Sequence, residues 1–222
     1  MRDPADPAAM SALLKELFDA ERAARRAHDA LTSAPPEAVL PHVEREARLA
    51  LAGEDLDEDE SSLRLVRIAA LLGDMEGPRV VDLLVDILGC DEPEARRAAG
   101  ESLSNLAFDR FKEVALGVER ALVRLPTGSP ALAELPYLLG EVPEPGVNKL
   151  LAGFLAHKDP DAVASAIEVL VESGDPEVLP MFEPLAGDTR KVQLEDEGGT
   201  EGEATIAELV AEARQILGES AS

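Results

Sequence analysis

The chain has 222 residues, 45% of them hydrophobic but only 3% aromatic, with no tryptophan. That composition argues against a β-sandwich, whose strands draw on aromatic and β-branched residues, and fits thin helices packed through Ala, Leu and Val. The 21 basic against 45 acidic residues leave a formal charge of −24, a field that repels nucleic acid and anionic membrane and attracts a basic protein.

The opening MRDPADPAAM has no basic region followed by an apolar run, so no secretory leader is expected. No apolar run approaches the ~20 residues of a membrane span. Cys90 is the single cysteine and cannot close an internal disulfide, which points to a reducing cytoplasm. It reads as a small apolar residue in a turn, since no base lies near it in sequence.

Residues 1–8, with two Asp-Pro pairs, are expected to be disordered. A helix is predicted over 9–31, with Leu13, Leu14, Leu17, Phe18, Ala24, Ala27 and Leu31 on one stripe. Arg22, Arg25 and Arg26 form the one dense basic patch. They either pair with Asp19, Glu21 and Asp29 on a solvated face, or dock the helix on the acidic body or on a second copy. Residues 1–34 thus form a tail and an N-terminal capping helix.

After Pro35 and Pro36, helices are predicted over 37–52 and 61–72. Between them lies EDLDEDE, in which Asp55, Asp57 and Asp59 have the start of a calcium loop. Glu60 stands where the loop needs Gly and Val66 where it needs a bidentate Glu, so a solvated acidic turn is expected. The next unit, residues 80–107, is VVDLLVDILGCDEPEARRAAGESLSNLA. Val80, Leu83, Leu84 and Ile87 line one helix face, and Gly89 supplies a left-handed cap. Asp91 is expected to cap a second helix, with Pro93 in its first turn. Ala95, Ala98, Ala99, Leu103 and Leu106 form its buried face. A hairpin this thin must stack on copies of itself.

Glycine measures the period. Gly73, Gly140 and Gly174 each close a helix and lie 67 and 34 residues apart, and a boundary near Ala107 halves the longer step. A third hairpin is then predicted at 108–125 and 130–139, with Pro136 kinking or ending its second helix. A fourth follows at 147–155 and 161–172, and a fifth starts at 176–185. Residues 188–203, polar and acidic, read as a disordered loop. A final helix near 204–217, with Ile206, Leu209, Val210, Ala213 and Leu217 on one side, caps the stack, and the last residues fray.

The motif D-x-P-E-A-R-R-A-A-G-E-S-L resembles a HEAT repeat, of the short bacterial type also found in phycobilin lyases. Asp91, Arg97, Ala98 and Leu103 match the family's characteristic positions. The resemblance covers roughly 35–187. It implies an all-α, right-handed α-solenoid of about five HEAT-like hairpins, with capping helices at both ends. It specifies no chemistry, because such folds host scaffolds, lyases, hydroxylases and glycosylases alike.

The search for catalytic patterns is negative. His28, His42 and His157 stand in no H-E-x-x-H, H-x-E or Cys-His spacing, and there is no G-x-S-x-G, P-loop or G-x-G-x-x-G. No catalytic residue, metal site or cofactor is therefore expected. The period does offer a binding candidate. Arg67, Glu101, Glu134 and Glu168 stand six residues before successive hairpin boundaries, on second helices that the resemblance places along the concave face. The expected function is a cytoplasmic, non-catalytic scaffold or adaptor whose acidic groove binds a basic protein. The alternatives are an acidic inhibitor or immunity protein masking a basic toxin or nuclease, and a chromophore-lyase-like accessory protein. A pocket gathering the histidines would favour the last. The oligomeric state is left open.

Overall fold

The computed structural model describes residues 7–53, 56–195 and 201–220, and these are mostly helical. The helices are α1 (Pro7–Thr32), α2 (Pro36–Ala52), α3 (Glu58–Gly73), α4 (Pro78–Leu88), α5 (Pro93–Arg124), α6 (Pro130–Gly140), α7 (Val147–Leu155) and α8 (Pro160–Glu172). A 3-10 helix covers Pro176–Leu185, and strands β1 (Lys191–Glu195) and β2 (Glu201–Thr205) precede α9 (Ile206–Ser220). Disorder is expected for residues 1–8, but Pro7 and Ala8 already belong to α1, and residues 1–6, the first ligand position Asp55 of the acidic turn and the end of the tail at 221–222 lie outside the described residues. Asp57 is an N-cap: its carboxylate accepts from the Glu60 N–H at 2.8 Å.

Proline opens α2, α4, α5, α6, α8 and the 3-10 helix, where its missing N–H is one the helix could not satisfy anyway. From α2 to α7 each helix packs on the next helix in the chain and on the one beyond it, and α8 packs on α9. The contacts α2–α4, α4–α5, α5–α7 and α7 to the 3-10 helix form one series. The contacts α3–α5, α5–α6, α6–α8 and α8–α9 form the other. Between them lies one continuous core of Val, Leu, Ile and Ala, with Phe154 and Phe182 as its largest fully buried side chains.

Glycine allows the close approaches within the second series. A Cβ on Gly73, the last residue of α3, would lie 3.1 Å from Ser102 Oγ on α5. A Cβ on Gly140, the last residue of α6, would lie 2.5 Å from Val169 Cγ1 on α8. Side-chain bonds repeat the spacing: Ser102 Oγ donates to Ala69 O at 3.0 Å, His157 Nε2 lies 3.1 Å from Leu122 O, and Arg120 Nε is 3.0 Å from Asp82 Oδ1. These partners are 33, 35 and 38 residues apart.

Five local expectations are corrected. The boundary near Ala107 is a break at Arg110 (φ −140°, ψ 49°) within a single α5, with no loop. There Arg110 Nη2 donates to Met75 O at 2.8 Å. The α5 residues before the break meet α3 and α6, and those after it meet α4, so α5 belongs to both series. Gly89 has φ −86° and forms no left-handed cap; it gives room beside Ser129 Oγ, 3.3 Å from a Cβ built there. Asp91 does not cap α5, because Glu92 intervenes before Pro93 and takes the cap position without a side-chain bond. Asp159, directly before Pro160, does cap: its carboxylate accepts from Asp161 N at 3.0 Å and Ala162 N at 3.4 Å. Pro136 neither ends nor splits its helix, which runs on to Gly140 with Pro136 buried, so packing overrides the lost bond.

The fifth correction falls on residues 188–203, which are not a disordered loop in their described part. β1 and β2 pair antiparallel, Lys191 opposite Thr205 and Gln193 opposite Glu203. Val192 turns inward and is buried. Arg190 ties the hairpin down, donating from Nη1 to His157 O at 2.7 Å and Lys158 O at 2.9 Å while Nε meets both oxygens of Asp188. Residues 196–200 lie outside the description.

Candidate partner-binding groove

The four predicted positions fall on α3, α5, α6 and α8. Their side chains do not form one bare row. Arg67 Nη2 faces Glu21 Oε2 of α1 at 3.6 Å and lines a different cavity from the glutamates. Glu101 accepts from Arg97 Nη1 at 2.6 Å, and Glu134 accepts from Arg96 Nη2. Glu168 Oε2 accepts from the Tyr137 hydroxyl at 2.5 Å.

Glu101 and Glu134 do share a groove, about 870 Å³ in volume, with Arg96, Arg97, Ser104, Asn105 and Glu141 on its walls. Two arginines there nearly balance three glutamates. A second groove of about 510 Å³ adjoins it, with Glu141 as the common wall. Its other charged residues are Glu144 and Glu172, and no lysine, arginine or histidine lines it. All three of its carboxylates are exposed. Tyr137 stands at its edge, and the surroundings push its hydroxyl pKa up to about 12: burial disfavours the phenolate, and the bond to Glu168 holds the proton. Sequence spacing missed this stretch because Glu141 and Glu144 lie in the connection after α6, where the repeat assigns no helix position.

A third cavity, about 750 Å³ and largely apolar, lies among α1, α2 and α3. Ala24, Ala27 and Leu31 of α1 face Val39, Val43, Ile68 and Leu71 across it, and His28 and His42 both line it. His28 Nε2 is 2.7 Å from Asp74 Oδ2. His157 is elsewhere, accepting through Nδ1 from the Asp159 N–H at 3.1 Å. Cys90 is half-buried, with burial pushing its thiol pKa up, and Sγ lies 3.7 Å from Glu92 O. Among the described residues, no group of three or more His, Cys, Asp or Glu could hold a metal ion. Among them, too, no helix is long and apolar enough to cross a membrane. No family model, curated protein or solved structure matches the chain.

Proposed function

We propose that the protein is a non-catalytic binding scaffold, a right-handed solenoid of HEAT-like helical pairs that holds a basic segment of a protein partner. The two neighbour-by-neighbour contact series and the bonds between residues 33 to 38 positions apart support the repeat architecture. The observation that carries the binding reading is the groove walled by Glu141, Glu144 and Glu172, three exposed carboxylates with no cation among its lining residues. It continues into the groove of Glu101 and Glu134 through their shared wall. The formal charge of −24 steers a basic chain toward it.

The test is the binding of a fluorescent octalysine peptide at low salt. Triple charge reversal (Glu141→Lys, Glu144→Lys, Glu172→Lys) weakens it by about tenfold or more, since three screened pairs of roughly 0.5 kcal/mol each are lost and replaced by repulsion. Reversal of the already paired Glu101, Glu134 and Glu168 weakens it less. Equal affinity in all three proteins ends the reading.

A second reading, a chromophore-lyase-like accessory protein, is favoured by the cavity that His28 and His42 share. Titration with a linear tetrapyrrole separates the two. A shifted visible band lost in His28→Ala with His42→Ala supports the second reading, and an unshifted band dismisses it.

A further inference from the structure

We propose that α1 pairs with α1 of a second copy of this chain, antiparallel, through Met10, Leu13, Leu17 and Ala20. This is independent of the acidic groove. Met10, Leu13, Leu17, Ala20, Ala24, Ala27 and Leu31 are all apolar and repeat at alternating steps of three and four over the whole helix. That is the seam of a two-stranded coiled coil. Its two halves differ. Ala24, Ala27 and Leu31 line the cavity against α2 and α3. The first half, past the buried Ala9, is largely exposed: Leu13 is 53% exposed, Leu17 61%, and the flanking Leu14 and Phe18 53% and 55%.

The charges point to the occupant. Helix α1 carries four basic and four acidic residues and is net neutral, in a chain of charge −24. They pair along the helix, Lys15 with Asp19 at 2.6 Å, Arg22 with Asp19 and Arg25 with Glu21 at 3.1 Å, leaving the seam free of charge. A neutral apolar seam does not select a basic partner, but it is where two strongly acidic bodies can meet without repulsion. The residues outside the description hold one large apolar side chain, Met1.

Charge also fixes the direction. Parallel pairing sets both acidic bodies beside each other. Antiparallel pairing of Leu13 with the second copy's Leu17, and of Met10 with its Ala20, puts large on small. It also separates the two Ala24 positions by about 27 Å along the axis, at 1.5 Å per residue. That exceeds the screening length of ~8 Å at physiological salt.

The experiment is sedimentation equilibrium of the full chain at micromolar concentration. The wild type has twice the chain mass, and Leu13→Glu with Leu17→Glu raises the dissociation constant at least about a hundredfold, because charges are forced into an apolar contact. A monomeric wild type, with the seam left for some other occupant, overturns the proposal, as does a double variant that remains dimeric. Cross-linking gives a second measurement that leaves the seam intact. In a Cys90→Ser background, oxidation joins Met10→Cys chains to Ala20→Cys chains but joins neither to itself. Efficient self-linking of Met10→Cys overturns the antiparallel arrangement.

Discussion

The two ends of the molecule carry the same kind of helix and use it in opposite ways. Both α1 and α9 are amphipathic, and both read as caps. In α9, Ile206, Val210, Ala213 and Leu217 are 2% exposed or less, packed on α8 and the 3-10 helix. In α1, only the second half of the stripe meets the body. At the α9 end side chains fix how the chain enters. Thr205 and Glu208 close a reciprocal capping box at the start of α9, Thr205 N donating to Glu208 Oε2 at 2.7 Å and Glu208 N to Thr205 Oγ1 at 3.2 Å. The hairpin and the Arg190 clasp fix the approach angle. For α1 the described polar ties to the body are His28 with Asp74 and Glu21 with Arg67. Periodicity states that a face wants burial; it does not state what buries it.

The sharpest way to break this contrast is truncation at equivalent places. Leu217→Ala is expected to cost about 3 kcal/mol in urea unfolding, through lost burial and the cavity left behind. Leu17→Ala, measured in chain dilute enough to be monomeric, costs within about 0.5 kcal/mol. Similar losses at both sites contradict the exposed seam.

The clasp at the α9 end responds to acid. Arg190 holds the Asp188 carboxyl pKa below its ordinary range, chiefly through their side-chain hydrogen bonds. The stability this gives is complete above the usual carboxylate pKa of about 3.9 and is lost as pH falls through the lower folded value. The melting-temperature gap between wild type and Asp188→Asn is therefore widest near neutrality and shrinks in acid. A gap independent of pH would show that the clasp is not ionic.

Tyr137 offers the finest comparison, because it is the single tyrosine in a chain without tryptophan and reports from between the two ends. Its absorbance titrates in one step near pH 12, and Glu168→Gln moves the step toward 10. The raised value means that its contribution to stability is intact below about 10 and fades as pH climbs toward 12. A wild-type step at 10 would refute the Tyr137–Glu168 contact.

Much of the helical framework was legible because Gly and Pro punctuate it: Gly73 and Gly140 end helices where expected, and Pro93, Pro130, Pro160 and Pro176 start them. The Arg110 break carried no such mark, since a corner held by a side chain bonding Met75 O leaves no local signature. The hairpin was hidden by composition. Lys, Gln and Glu dominate its exposed positions, and Val192 alone was too slight a sign of an inward face. For the groove, the period picked out Glu101 and Glu134, which line it together. It could not show that Arg96, which lies 38 residues from Glu134, would reach and occupy it. Pairing between helices depends on side-chain reach, and that is invisible until neighbouring helices are set side by side. Thr205-Ile206-Ala207-Glu208 was the opposite case, a capping signal present in the letters and passed over.

The loop-free course of α5 across its bend at Arg110 has a mechanical consequence. Elsewhere a turn or loop joins one helix to the next and can give way. Here 32 residues run through both contact series with backbone hydrogen bonding on either side of a single bent residue. The second and third helical pairs are thus riveted: the junction has no slack loop for a protease, and a pull on one series is felt at once by the other. Opening of this molecule should begin at its ends and stop at that rivet.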